Sequence, residues 1–243
     1  MRVYTGILAS VVALAAASAA RANMLTNGGL EASISPTQPD NLIYMSTTVN
    51  STALPGWSIT SGSVDVVPTT YFQSSQGGYA VDLVGTPGVG VLSQTVTTIS
   101  GNHYQLTFDY SINPENLTGE AGDTKQVKIT ATGSGVLATQ NYSYPFATPT
   151  ATNMHYVTGA TFLFTANSTS TTISLTALLS NLPTGITSLT AYCGPVIDNL
   201  DLISLGGNPP PDGGAIPEPA SLGTLAMGGL LLLRRKRGGR AAK

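Results

Sequence analysis

Between Asn23 and Ala215 the chain has no arginine, only two lysines (Lys125 and Lys128) and a single cysteine, Cys193. Against them stand eleven Asp and Glu, a net of -9 that the whole-chain value of -2 conceals. So acidic a stretch lacks the cationic surface that a phosphate backbone needs, which excludes nucleic acid as a partner. One cysteine excludes an internal disulfide; Cys193 is either a buried small hydrophobe or a thiol for intermolecular pairing. Helical periodicity is missing too, since no ten-residue stretch before residue 216 carries it. There is no His-Glu-x-x-His, no Gly-x-Ser-x-Gly, no P-loop and no dinucleotide glycine pattern. The two histidines, His103 and His155, read as surface or turn residues. Among the acids, Asp65, Asp82 and Asp109 fall in predicted strands and Glu115, Glu120 and Asp123 in predicted loops. Nothing pairs them as the two carboxylates of a glycosidase must be paired, so the reading is not an enzyme.

What is present is β-forming. Thr, Ser, Val, Gly and Asn dominate, and short alternating runs recur between Gly, Pro and Asn. The pattern predicts strands over 62–67, 78–84, 91–97, 104–110, 125–131, 158–164, 171–177 and 196–204. In 104–110, Tyr104, Leu106, Phe108 and Tyr110 share one face and Gln105, Thr107 and Asp109 the other. That is a half-buried antiparallel strand, and eight such segments predict an all-β fold: an antiparallel two-sheet jelly-roll sandwich.

Residues 32–55 read as a long polar loop. Trp57, flanked by Ile59 and Val64, is expected in the core rather than as a sugar-stacking platform. Tyr71 and Phe72 are adjacent in a loop, where an extended chain cannot turn both inward, and are therefore ligand-contact candidates. Asn113 opens an acidic, turn-rich connection at the end of the strongest strand, where sandwiches carry binding groups, and joins them as a ligand-binding candidate. Residues 206–215 are a Gly/Pro spacer.

The two ends fix a compartment. Arg2, an apolar run over 7–20 and Ala20-Arg21-Ala22 make the three-part layout of a secretory signal peptide, cut by signal peptidase after Ala22. At the other end, Pro217-Glu218-Pro219 precedes fourteen uncharged residues, 220–233, and the basic end 234–243. As a helix those fourteen rise about 21 Å, short of a hydrocarbon core of roughly 30 Å. The basic cluster holds that end on the cytoplasmic side. An ordinary C-terminal anchor is one reading of this tail.

The other reading is by resemblance. The tail resembles the PEP-CTERM sorting signal of Gram-negative, biofilm-forming bacteria, which implies recognition of Pro217, Glu218 and Pro219 by a membrane exosortase and only transient anchoring in the inner membrane. The domain between the ends resembles bacterial choice-of-anchor C domains. The likeness lies in Gly56-Trp57, Gly62-Ser63-Val64-Asp65, the run from Gly78 to Gly85, Ser93-Gln94-Thr95, Gly101, Tyr104, Phe108, Asn113, Asn153-Met154 and the run from Gly194 to Asn199. It is also similar to a plant cell-wall family with a galactose-binding-like jelly roll that begins Asn-Gly-x-Phe-Glu, with Leu30 here in place of Phe. Jelly rolls of this kind often carry a structural Ca²⁺ where the opening and closing strands meet. That resemblance implies Glu31 and Asp198 as its ligands, with hard oxygen donors that suit the ion.

The domain organisation expected is therefore 1–22 signal peptide, 23–205 sandwich, 206–215 spacer and 216–243 sorting tail. The function expected is a non-enzymatic cell-surface or matrix protein that contacts extracellular polysaccharide. The alternatives are a structural matrix protein with no glycan site and, behind it, a hydrolase. Sequons at Asn50, Asn116, Asn141 and Asn167 are the chance harvest of a Ser/Thr/Asn-rich chain.

Overall fold

A computed structural model describes residues 21–37, 41–86, 88–116, 124–145, 149–180 and 193–207. The chain divides after Gly207; the rest of the expected spacer and the expected sorting tail, Pro217, Glu218 and Pro219 included, lie outside the described residues, as do residues 1–20 of the expected signal peptide 1–22.

The strands are β1 (Ile43–Ser46), β2 (Ser58–Ser61), β3 (Ser63–Pro68), β4 (Tyr79–Asp82), β5 (Val84–Gly85), β6 (Gly88–Val89), β7 (Val91–Thr97), β8 (His103–Ile112), β9 (Thr124–Gly133), β10 (Gly135–Ser143), β11 (Val157–Thr165), β12 (Ser170–Ser180) and β13 (Pro195–Gly206). They form a six-stranded sheet in the order β1-β3-β4-β13-β8-β11 and a five-stranded sheet in the order β10-β9-β12-β7-β2, with β5 and β6 as a small ribbon. Among the described residues every strand pairing is antiparallel. All eight predicted strands are present. The expectation of a loop throughout 32–55 is corrected by β1, which pairs Ile43–Ser46 with Val66–Ser63.

Alternation builds the core. Leu106, Phe108 and Tyr110 of β8, Phe162 and Phe164 of β11, Val127, Ile129 and Ala131 of β9, and Ile173, Leu175 and Ala177 of β12 all meet in one cluster. Each fully buried aliphatic or aromatic side chain there contributes roughly 1.5–3 kcal/mol. Trp57 lies in this core, 3% exposed, and its Nε1–H donates to the Asn27 carbonyl at 2.9 Å. The opening segment lies beside β13: Met24 N–H donates to Leu202 O and Leu200 N–H to Gly28 O, both at 2.8 Å. Gly28 is required there, because a Cβ would stand 2.1 Å from Leu200 O.

The outer faces of the two sheets differ. On the five-stranded sheet Thr130, Thr139, Thr172, Ser174 and Thr95 line the outside, with hydroxyls of neighbouring strands paired at 2.8–3.3 Å. On the six-stranded sheet the segments 69–78 and 149–156 fold over the outer face. A second apolar cluster fills the space beneath them: Val67, Phe72, Ala80, Met154 and Val196. This sheet is therefore covered on both sides at β3, whose six residues are all buried, and any acid on its outer face is buried with them.

Candidate functional site

Four aspartates occupy that covered face. The register sets Asp65 of β3 opposite Asp82 of β4, and Asp198 of β13 opposite Asp109 of β8. All four are buried, from 0% exposed at Asp198 to 5% at Asp65. Carboxylates opposite one another repel, and burial strips their hydration.

Asp198 and Asp109 hold the turn 75–78 down on the sheet. Gln76 N–H donates to Asp198 Oδ2 at 2.8 Å and Asn199 N–H to its Oδ1 at 2.6 Å. Ser75 Oγ donates to Asp109 Oδ2, which also accepts Asn199 Nδ2 at 3.0 Å, and Gly159 N–H donates to Asp109 Oδ1 at 2.8 Å. Burial pushes the Asp198 carboxyl up to about 7, against the lowering effect of the Gln76, Asn199 and Ser75 amides, and the charge of Glu31 pushes it further in the same direction. Tyr156, its hydroxyl donating to Gln73 O at 3.1 Å, is raised by burial and then by the charges of Asp198 and Asp109.

Glu31 reaches the same turn from the opening segment. Gly78 N–H donates to Glu31 Oε1 at 2.9 Å and Oε2 at 3.2 Å. Gly77 has φ +67°, and a Cβ on it would stand 1.9 Å from Glu31 Oε1. The two expected metal ligands, far apart in sequence, are thus brought to one turn. Among the described residues no group of three or more His, Cys, Asp or Glu is placed to hold a metal, so further ligands would be carbonyl, amide, hydroxyl or water oxygens. The charge of Glu31 acts on Asp198, and two carboxylates at one turn suit a hard cation.

The three ligand-contact candidates separate. Phe72 is a core residue of the second cluster, 1% exposed, which corrects its reading as a ligand-contact candidate: the covering segment needs an apolar anchor. Tyr71 is half-buried beside it, ring centroids 5.5 Å apart, and its hydroxyl donates to Glu115. Asn113 is 6% exposed and is a connector. Its Nδ2 donates to Asp82 Oδ2 at 2.7 Å, its Oδ1 accepts Glu115 N–H at 2.9 Å and its own N–H donates to Gly194 O at 2.9 Å. Asp82 also accepts the Val84 and Gly194 N–H groups at 2.9 and 3.0 Å, yet burial still pushes its carboxyl up to about 6.

A tyrosine group at the β10 edge emerges only from the tertiary structure. Tyr142 meets Phe108 edge-on at 4.9 Å and Tyr110 at 6.1 Å, and Tyr144 meets Tyr110 at 6.4 Å. Their hydroxyls donate to carbonyls, Tyr142 to Thr161 at 2.8 Å and Tyr110 to Ser143 at 3.0 Å. Tyr142 and Tyr144 are half-buried, and burial pushes the Tyr142 phenol up to about 12. The signal available in the sequence was their two-residue spacing, which puts both on one face of an extended chain. His103 shares a hydrogen bond with Thr165, and His155 is an exposed turn residue with φ +47°.

Comparison with known proteins gives three findings. A family profile described as "Protein of unknown function (DUF642)" matches residues 23–203. Halomucin of Haloquadratum walsbyi (strain DSM 16790 / HBSQ001) is 31% identical over 199 residues, which are 81% of this chain and 2% of halomucin. The chain therefore corresponds to a small fraction of that protein's length. Among solved structures, TmCBM61 in complex with β-1,4-galactotriose aligns at TM-score 0.42 and 15% identity, over 74% of this chain and 97% of that one. The CBM22-1–CBM22-2 tandem domain of Paenibacillus barcinonensis Xyn10C aligns at TM-score 0.39 and 17% identity, over 82% and 51%.

Proposed function

The chain belongs to the family described as "Protein of unknown function (DUF642)", and on that footing we propose that it is a non-catalytic polysaccharide-binding module of the cell surface or extracellular matrix. The observation that carries the reading is the half-buried Tyr142–Tyr144 pair, backed by Tyr110 and Phe108 and bordered by Ser143 and Thr161. Tyrosine faces with hydroxyl and amide neighbours give a neutral sugar both stacking area and hydrogen bonds. Tyr71 beside Glu115 offers a smaller second contact.

Export and sorting belong to the same proposal. The leader and the Pro217-Glu218-Pro219 tail support secretion from a Gram-negative cell, processing by signal peptidase and an exosortase, transient inner-membrane anchoring with the C-terminus cytoplasmic, and a choice-of-anchor C type of domain. A structural Ca²⁺ held by Glu31 and Asp198 would neutralise their mutual repulsion and pin the turn 75–78.

The test is a glycan array with polysaccharide pull-down on residues 23–205, beside Tyr142→Ala/Tyr144→Ala and Tyr71→Ala variants. Saturable binding lost in the double variant places the site on the β10 edge. Loss only in Tyr71→Ala moves it to the covering segment. A folded domain that binds no glycan would leave a structural matrix protein as the better account.

A further inference from the structure

We propose that the Tyr142–Tyr144 pair and Tyr71 are the two ends of one continuous contact track, whose ligand is an internal stretch of a long, neutral, linear polysaccharide. This rests on the polysaccharide reading above and deepens it. The turn 149–156 joins the two ends. On the β10 side, the Tyr144 hydroxyl lies 3.1 Å from Met154 O and 2.9 Å from His155 O, and the Ser111 hydroxyl of β8 donates to Met154 O as well. On the other side, Gln73 N–H donates to Ala151 O at 2.8 Å and Met154 N–H donates to Gln73 Oε1 at 3.3 Å. The Tyr156 hydroxyl donates to Gln73 O at 3.1 Å. Tyr71 and Tyr156 pack against the apolar cluster that contains Met154 and Phe72. Buried Met154 therefore pins the turn to both ends at once, its carbonyl held from β10 and β8 and its amide from the segment 69–78.

The side chains along this track alternate in chemistry. Tyr142 and Tyr144 are half-buried, Asn153, His155 and Gln73 are exposed, and Tyr71 is half-buried again. Asn153 Nδ2 and His155 Nε2 share a hydrogen bond at 3.0 Å, which fixes the two exposed groups against each other. Rings give stacking area to the C–H faces of sugars, and the amide and imidazole edges between them give the hydroxyls their hydrogen bonds. Exposed amides between half-buried rings make a surface that meets several sugar units side-on, not a socket that encloses one. The turn is also shaped in advance: Thr150 and Asn153 close it with paired backbone bonds at 2.9 and 3.0 Å, so little freedom is lost on binding. None of these six side chains is a carboxylate, a lysine or an arginine, and the Tyr71 hydroxyl donates to Glu115. In a domain of net charge -9 such a track repels an anionic polymer and admits a neutral one.

The full chain is titrated calorimetrically with neutral β-1,4-linked gluco-, manno-, xylo- and galacto-oligosaccharides of two to six units, with the matching polymers and with polygalacturonate. Affinity for one neutral series should climb with length, the six-unit member binding about tenfold tighter than the two-unit member. Tyr71→Ala and Asn153→Ala, with folding checked by melting temperature, should each flatten that climb. The six-unit affinity should fall by about tenfold and the two-unit affinity should stay within about twofold. Binding that ignores length and is lost only in Tyr142→Ala/Tyr144→Ala would overturn the track and leave the polysaccharide module standing. A climb with length that neither Tyr71→Ala nor Asn153→Ala changes would overturn the track as well. Polygalacturonate bound more tightly than every neutral probe would overturn the neutral class. No binding of any probe by the folded chain would overturn both this inference and the reading on which it rests.

Discussion

Glu31 and Asp198 grip the same turn from opposite ends of the chain: Gly78 N–H donates to Glu31 at 2.9 Å and Gln76 N–H to Asp198 at 2.8 Å. The opening segment and β13 are thereby tied through a third segment that neither neighbours in sequence. Two carboxylates this close, one wholly buried, make the tie sensitive to protons and to cations.

The proton dependence follows from Asp82, pushed up to about 6, and Asp198, pushed up to about 7, from the ordinary carboxyl value of 3.8. Each holds its proton more tightly in the folded chain than in the unfolded one. Their contribution to stability is full below pH 3.8 and is lost as pH rises through about 6 and about 7. The melting temperature should therefore rise, by roughly 5 °C, between pH 8 and pH 5. Asp198→Asn should flatten the upper part of that profile. A melting temperature that falls over this range would contradict the assignment.

Calcium should act in the opposite pH range. At pH 8, with Asp198 ionised, millimolar Ca²⁺ is expected to raise the melting temperature by several degrees through mass action on the folded state. Glu31→Gln should abolish the rise. No shift in the unaltered protein would remove the metal and leave the pair as a clamp on amide groups.

Tyr71 and Phe72 should behave as different kinds of residue. Phe72→Ala empties the second apolar cluster and should cost about 3–5 kcal/mol of stability in denaturant melts. Tyr71→Ala should stay within about 1 kcal/mol and report on ligand contact alone. Equal losses from the two would show that Tyr71 is also core.

Gly77→Ala meets both a left-handed backbone, φ +67°, and the Glu31 carboxylate 1.9 Å from the new Cβ. A loss of about 1–3 kcal/mol is expected, with faster amide exchange over 75–78. Unchanged exchange there would mean that Glu31 swings away without loosening the turn.

Much of the fold was legible in the sequence. Strict alternation marked β8, β9 and β12, because a strand with one face in the core must repeat every second residue. The strands that escaped break this rule. β10 carries a register irregularity between Val136 and Ala138 and is exposed along most of its length. β1 spans four residues with no more than two core positions. Trp57 read as core from its apolar neighbours, and it is core.

The candidate site was legible only in part, and the reason is geometric. A sequence reports periodicity, composition and the likeness of short motifs, all properties of neighbours along the chain. Those determined an acidic all-β domain, and marked Glu31, Tyr71, Phe72, Asn113 and Asp198 as residues of interest. Which face of a sheet is covered is decided by segments that return from elsewhere. The folding of 69–78 and 149–156 over the six-stranded sheet buries Phe72 and, with it, four aspartates on the outer face. Facing strands bring Tyr142 to Phe108 and Tyr110. Burial without solvent is what gives these groups their chemistry, and only the tertiary structure decides burial.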